Sequence, residues 1–157
     1  MYGYYTIKIM KCTNSSIGKM LIDIICEFYE NDRKARTFGT GTELYHSEIH
    51  MLQCIMEHPG LHISGIAREL GVTRGAASQT AKRLVRKQMI VKEASPGDEK
   101  KIILRLTTCG KIAASNHKNA HKKYSAMIGS LLSGANTEQL QFLSSFLLRL
   151  KGALEKG

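Results

Sequence analysis

The sequence predicts a mainly α-helical fold with a small β-wing, a winged helix-turn-helix with additional helices at both ends of the chain. Two helical segments between Ile63 and Met89 are separated only by Gly71, Val72 and Thr73, the tight connection typical of a helix-turn-helix. Two short runs rich in β-branched residues follow and are joined by a Pro-Gly-Asp turn, which predicts a hairpin. Long apolar helical patterns precede and follow this region.

The first predicted element is a helix of about residues 16–36. One face of it is apolar, with Ile17, Met20, Leu21, Ile24, Ile25 and Phe28 at helical spacing. A Gly/Thr-rich connector, residues 37–42, breaks this helix. The next helix carries Ile49, Leu52, Ile55 and Met56 and ends at His58-Pro59-Gly60. Cys26 and Cys54 fall within these two apolar runs, so we expect both thiols to be inert core residues.

The helix-turn-helix comes next. Its first helix stops at Gly71, because glycine takes the left-handed conformation of a helix C-terminus without a Cβ clash. Thr73 is placed to cap the second helix through its hydroxyl. One face of that second helix is a narrow apolar stripe of Ala77, Ala81, Leu84 and Val85.

The remaining faces of the second helix carry side chains that suit DNA. Arg74, Ser78 and Gln79 can hydrogen-bond base edges in the major groove, where arginine pairs with guanine and glutamine with adenine. Lys82, Arg83, Arg86 and Lys87 are better suited to phosphates, which set affinity and register. A basic helix that is merely solvated is the alternative, and the order of motifs on both sides argues against it.

The charge of the chain supports the same interpretation. The formal net charge is +10 in 157 residues. Ten basic and four acidic residues lie between Arg68 and Arg105. A basic excess concentrated in this way favours double-stranded DNA as the partner, through counterion release.

Two further helices are predicted after the wing. Thr107 or Thr108 caps a helix that reaches about Leu132, and Asn136 with Gln139 forms a capping box for the last one. That last helix carries Leu140, Leu143, Phe146, Leu147, Leu150 and Leu154.

These patterns predict a single domain of residues 1–157. A winged helix-turn-helix of residues 44–106 lies between dimerisation helices of residues 16–36 and 107–156. A two-fold homodimer would present two recognition helices to successive major grooves, so we expect a pseudo-palindromic operator.

Composition excludes several other classes. Aromatic residues make up 6% and tryptophan is absent, which argues against a stacking platform for single-stranded nucleic acid. No apolar run approaches the roughly 20 residues that span a bilayer, and the N-terminus lacks a signal-peptide pattern, so we expect a cytoplasmic protein without a membrane partner. The four cysteines have no CxxC spacing. No catalytic motif is present, so we expect neither an enzyme nor a required cofactor.

Over about residues 16–156 the chain resembles the MarR family of transcriptional regulators. The resemblance rests on Leu61 to Gly71 (LHISGIARELG), Val72 to Ile90 (VTRGAASQTAKRLVRKQMI) and the wing Asp98-Glu99-Lys100-Lys101 leading into Leu106-Thr107. It implies that the helix beginning at Thr73 enters the major groove. It adds Thr73, Gly75 and Ala76 of that helix, and Asp98, Lys100 and Lys101 of the wing, to the expected DNA-contacting residues.

The chain departs from the pattern of that family at three places. Gln88 stands where glycine is usual, which predicts strain or remodelling at the end of the recognition helix. Tyr45-His46 replaces the usual Thr-Pro at a helix start. Lys100 replaces an arginine of the wing, and lysine offers a point charge without the planar fork, so we expect weaker or phosphate-directed contacts there.

A histidine pair suggests what the protein senses. His117 and His121 are four residues apart, so both imidazoles lie on one helix face within reach of one metal. The resemblance to a zinc-sensing branch of the same family implies a metal site of Asp32, His50, His117 and His121. Zinc is the expected effector, and nickel and copper are the alternative metals. The alternative is that both histidines are solvated in the polar run of residues 115–123, whose lysines repel cations.

The sequence thus predicts a sequence-specific DNA-binding transcriptional regulator that acts as a homodimeric repressor. We expect a metal ion or a small molecule to be its effector. The alternative is a winged-helix module for protein or RNA interaction without operator specificity. The two differ in whether duplex binding depends on sequence.

Overall fold

The computed structural model describes residues 13–32, 34–95 and 98–155, with the side chains of Asp32, Ser95 and residues 98–101 outside the description. Within these ranges the chain forms six helices and two strands. They are α1 (Asn14–Asp32), α2 (His46–Glu57), α3 (Ile63–Glu69), α4 (Arg74–Arg86), β1 (Ile90–Ser95), β2 (Asp98–Leu106), α5 (Thr108–Leu131) and α6 (Thr137–Leu154). The predicted fold class, a mainly helical winged helix-turn-helix, is confirmed.

The chain divides between Ser115 and Asn116, within α5, into two compact units. The first unit holds the helix-turn-helix and the wing, and the second holds the rest of α5 together with α6. The prediction of a single domain stays a prediction. Among the described residues, no helix is long and apolar enough to cross a membrane.

The core of the first unit is built by α2, α3, α4 and the start of the wing. Its largest fully buried side chains are Leu44, Met51, Leu52, Ile66, Leu84, Met89, Ile90 and Glu48. Helix α4 packs against both α2 and α3. It does so with Ala77, Thr80, Ala81 and Leu84, which are at most 6% exposed. Because three of these four residues are small, α4 can lie close to its neighbours.

Three expectations for these helices were wrong. Helix α1 ends at Asp32 and not near Arg36, because the backbone of Arg36 exchanges hydrogen bonds of 3.0 and 2.9 Å with that of Leu44. Val85 is 36% exposed, since it lies at the edge of the apolar stripe, and Thr80 is buried instead. Cys26 is exposed, because α1 buries little of its apolar face against the described part of this chain.

The helix-turn-helix has the predicted ends. Gly71 has a φ of +63°, and the amide groups of Gly71 and Val72 donate to the carbonyl groups of Arg68 and Ala67, a Schellman motif. The hydroxyl of Thr73 accepts a 3.1 Å hydrogen bond from the amide of Ala76. These local bonds fix the short connection from which α4 departs.

The recognition helix α4 ends in the same motif, with Gln88 in the role of Gly71. Gln88 has a φ of +56°, and the amide groups of Gln88 and Met89 donate to Val85 and Leu84 at 2.9 Å. A residue with a Cβ in this conformation costs about 1–2 kcal/mol. The end of the recognition helix is therefore strained at Gln88 and not remodelled.

The wing is an antiparallel pair of β1 and β2 in which Ile90 pairs with Leu106 and Ala94 with Ile102. The register shifts between Ala94 and Ser95. An isolated bridge between His62 and Ile103 ties the start of α3 to the second strand. The wing is thereby fixed to the helix-turn-helix at its base.

A tight joint connects the end of α4, the wing and the start of α5. The carbonyl oxygen of Met89 accepts from the amide of Thr107 at 3.0 Å. The hydroxyl of Thr107 lies 2.8 Å from the carbonyl oxygen of Gln88 and 3.1 Å from that of Met89. The same hydroxyl caps α5 by accepting from the amide of Gly110 at 3.1 Å, so the cap is Thr107 and not Thr108. A Cβ at position 110 would overlap the carbonyl oxygen of Met89 and lie 3.1 Å from its carbon.

We expect Gly110→Ala to lower the free energy of unfolding by roughly 2–4 kcal/mol, because backbone must move to relieve the overlap. Urea denaturation followed by circular dichroism measures this. The matched control is Gly75→Ala, also in the first turn of a helix, where the nearest atom to a new Cβ is the Thr73 hydroxyl at 3.9 Å. That variant should gain up to about 1 kcal/mol. Equal stabilities of Gly110→Ala and the wild type would contradict the prediction.

Candidate nucleic-acid interface

The candidate interface is the face of α4 that points away from the core. Arg74, Gln79, Lys82 and Arg86 are exposed on it, and Ser78 is half-buried. Thr73, Gly75 and Ala76 at the start of the helix are also exposed. The opposite face is held by the buried stripe of Ala77, Thr80, Ala81 and Leu84, so the rotation of α4 about its own axis is fixed. The helix therefore presents base-pairing and phosphate-binding groups together.

Arg83 differs from these residues, although its type and position in the sequence predict a phosphate contact like those of Lys82 and Arg86. Its guanidinium donates a 2.9 Å hydrogen bond to the hydroxyl of Thr80 and lies 3.5 Å from that of Ser47 on α2. Its Nε lies 3.5 Å from Oε1 of Glu48. The side chain thus points along the helix toward α2 and is 41% exposed.

Lys87, the C-cap residue of α4, joins the same cluster. Its Nζ donates to Oε2 of Glu48 at 2.6 Å and to the carbonyl of Glu43 at 2.8 Å. It also lies 5.2 Å from the centre of the Tyr45 ring, within the range of a cation–π contact. We refer to Glu48, Arg83 and Lys87 as the Glu48 cluster.

Glu48 itself has no exposed surface, and it is not among the residues predicted from the sequence. Its Oε2 accepts a 3.0 Å hydrogen bond from the amide of Tyr45 at the start of α2. A glutamate three residues after a helix start is the signal that was available, since that position commonly pairs with the cap. Its burial and its partners on α4 depend on contacts far apart in sequence.

The second part of the candidate interface is the wing. Glu93 on β1 and Arg105 on β2 form an ion pair across the hairpin, so Arg105 is partnered within the wing. Asp98, Lys100 and Lys101 all lie on β2, and their side chains are outside the described residues. Their predicted contacts with DNA stay predictions.

The four residues of the predicted metal site are described to different extents. On α5, Nε2 of His117 and Nε2 of His121 lie 3.2 Å apart, and His117 is 6% exposed. On α2, the ring of His50 lies 4.2 Å from that of His46, between centroids. The side chain of Asp32 lies outside the description. Among the described residues, no group of three or more possible ligands is close enough to hold a metal ion.

Among the cysteines that the structure describes, Cys54 is buried, as the sequence predicts. Burial raises the pKa of the Cys54 thiol, and the carboxylates of Glu69 and Glu57 raise it further. A thiol kept protonated in this way is a poor nucleophile and a poor metal ligand. Cys54 therefore behaves as a core residue.

Comparison with known proteins gives a consistent result. The model of the MarR family matches residues 44–102. The HTH-type transcriptional regulator PchR of Bacillus subtilis is 24% identical over 109 residues, which cover 69% of this chain and 64% of PchR. The chain thus spans slightly less than two thirds of the length of this relative.

Solved structures share the fold over nearly the whole chain. FabT of Streptococcus pneumoniae, in complex with DNA, has a TM-score of 0.70 and 24% identity, and covers 92% of this chain and 99% of its own. ZitR of Lactococcus lactis, also in complex with DNA, has a TM-score of 0.75 and 20% identity, covering 90% and 98%. ZitR is described as a zinc-responsive MarR family member. The model of the MarR family thus matches the winged helix-turn-helix region of the chain, and the solved structures share its fold.

Proposed function

We propose that this protein is a transcriptional regulator, a repressor, that binds a pseudo-palindromic DNA operator as a homodimer. The observation that carries the proposal is the surface of α4, where Arg74, Gln79, Lys82 and Arg86 are exposed on a helix whose opposite face is fixed in the core. The relative PchR is named as a transcriptional regulator, and FabT and ZitR have been solved with DNA. These comparisons support the same assignment.

The groups on α4 divide between two tasks. Arg74, Ser78 and Gln79 lie toward its N-terminal end, and their donors and acceptors suit base edges. Lys82 and Arg86 lie further along, where a lysine or arginine neutralises phosphates without choosing among sequences. Operator choice should therefore depend on the first group and general affinity on the second.

We expect Gln79→Ala to relax discrimination at one base pair by about 1–3 kcal/mol, since a bidentate contact to adenine would be lost. Lys82→Ala should instead weaken all duplexes alike and reduce the slope of log K against log salt by roughly one unit. Fluorescence anisotropy with the operator and with single-base variants, across a salt series, measures both. The reverse pattern would mean that the two roles are exchanged.

A winged-helix module for proteins or RNA is the alternative function. Such a module would bind duplex DNA only weakly and without sequence dependence. Footprinting on the region upstream of the protein's own gene distinguishes the two, because a regulator should protect a two-fold symmetric site of two half-sites about one helical turn apart.

The homodimer is supported by apolar side chains at both ends of the chain. On α1, Ile22, Ile24, Phe28 and Tyr29 are 58–62% exposed. On α6, Phe142 and Leu148 are 69% and 68% exposed, and Leu147 is 48% exposed. Large apolar side chains that are left this exposed on a helix indicate an interaction surface. A second copy of the chain would cover it and would also supply the second recognition helix.

Leu147→Glu should shift the protein toward monomer, because a charge would be buried at the interface without a partner. Sedimentation velocity at micromolar concentrations measures the shift. Arg149→Glu is the control, since residue 149 lies about 200° further around the same helix and is exposed. A wild-type protein that sediments as a stable monomer would rule out the dimer.

We further propose zinc as the effector, on a specific observation. The two Nε2 atoms of His117 and His121 are 3.2 Å apart. Two nitrogen ligands of one tetrahedral zinc, each at about 2.0–2.1 Å, are separated by about 3.3 Å. The pair therefore fits one metal ion, and Asp32 and His50 are the proposed further ligands. The zinc-responsive neighbour ZitR supports the assignment.

Zinc should bind with a dissociation constant below the micromolar range, and its binding should change the affinity of the protein for the operator. A chelator should alter DNA binding by the wild type and leave the His117→Ala/His121→Ala double variant unaffected. Binding should weaken on acidification, because imidazole ligates metal only in its neutral form. His58→Ala, at an exposed histidine of the α2 C-cap, is the control. If titration calorimetry detects no zinc binding tighter than the micromolar range, the metal effector is ruled out. The DNA-binding proposal does not depend on that result.

A further inference from the structure

The Glu48 cluster places one carboxylate with no exposed surface against two cations of the recognition helix. A buried carboxylate is tolerated only when it is paired and hydrogen-bonded. Lys87 supplies the short contact of 2.6 Å, and Arg83 the longer one of 3.5 Å. Among the described residues, Oε1 of Glu48 has no hydrogen-bond partner, so it depends on the nearby guanidinium for compensation.

Both cations are engaged at more than one point. Lys87 uses two of its three N–H donors on Glu48 and on the carbonyl of Glu43, and it also lies over the Tyr45 ring. Arg83 donates to Thr80 and reaches Ser47. Moving either cation to a phosphate would break these bonds and would leave a charge buried in α2. The cost of that movement opposes their use on DNA.

The other cations of the same helix have a different environment. Arg74, Lys82 and Arg86 are exposed on α4. Counterion release, which drives binding to any duplex, grows with the number of cations that reach phosphates. Two of the five cations at positions 74–87 are therefore held back from the general, sequence-independent part of the affinity.

We propose that Glu48 is a positioning residue that lowers the general, sequence-independent affinity for DNA, because it holds Arg83 and Lys87 on α2 and away from DNA phosphates. The cluster fixes the C-terminal end of α4 relative to α2, and it weakens binding to random sequence and to the operator alike. Operator binding keeps the base contacts made from the N-terminal end of α4. This inference rests on the proposed DNA-binding function.

The test is the Glu48→Gln variant, which keeps the size of the side chain and an oxygen for the amide of Tyr45 but removes the charge. Affinity for random duplex should rise roughly five- to tenfold at 0.1 M salt, and its salt slope should steepen by about one unit, for each cation released. Affinity for the operator should rise by a similar factor, so the ratio of operator to random affinity should stay the same. Glu43→Gln is the matched control, since it removes the same charge from an exposed side chain five residues away.

A purely structural role for Glu48 would give a different result. Both affinities would then fall together with the thermal stability, and the salt slope for random duplex would not change. That outcome, or equal slopes for Glu48→Gln and Glu43→Gln, would overturn the inference.

A double-mutant cycle with Lys87 keeps the test decisive when one variant folds poorly. Lys87→Gln alone should leave the random-duplex slope unchanged, because that cation is already withheld. In the Glu48→Gln background, Lys87→Gln should reduce the slope by about one unit, since it removes a released cation. A loss of slope in Lys87→Gln alone would refute the inference while operator binding by the wild type still supported the proposed function. Absence of salt-dependent duplex binding by the wild type would overturn both.

Discussion

The carbonyl group of Met89 is the point on which the geometry of the DNA-binding unit depends. Met89 lies between the strained residue Gln88 and the first strand of the wing, and its carbonyl oxygen accepts a hydrogen bond from the amide of Thr107. The hydroxyl of Thr107 lies within hydrogen-bond distance of the carbonyl groups of both Gln88 and Met89. Gly110 must lack a side chain so that the first turn of α5 can approach the carbonyl group of Met89. The recognition helix, the wing and the start of α5 are thus joined by hydrogen bonds among backbone groups and the hydroxyl of Thr107.

The features that the sequence predicted correctly are mostly local. A glycine with positive φ at residue 71, the hydroxyl cap of Thr73 and the reciprocal capping box of Asn136 and Gln139, with both hydrogen bonds at 2.9 Å, each depend on neighbours within four residues. Local hydrogen bonding and backbone preference are encoded in short segments. The family pattern adds the order of these segments, and from it the fold class.

The features that escaped prediction depend on residues far apart in the chain. The end of α1 is set by hydrogen bonds between Arg36 and Leu44, and the exchange of Val85 for Thr80 in the core is set by where α2 lies. In the Glu48 cluster, Arg83 and Lys87 lie 35 and 39 positions after Glu48 in the chain. Helix periodicity alone therefore places both residues on the basic face of α4. Periodicity shows which residues share a face of one helix, but it does not show which neighbour that face meets.

Cys54 gives the molecule an internal reporter. Its thiol is 6% exposed within the core that α2 forms with α3 and α4, whereas Cys26 and Cys109 are exposed. A thiol reagent can reach Cys54 only when that core opens, so its alkylation rate measures the free energy of local opening, much as amide hydrogen exchange does. Because the same helix carries Glu48 and His50, ligands that rigidify α2 should slow this reaction. The protein can therefore reveal an effector through its own chemistry, without labelled DNA.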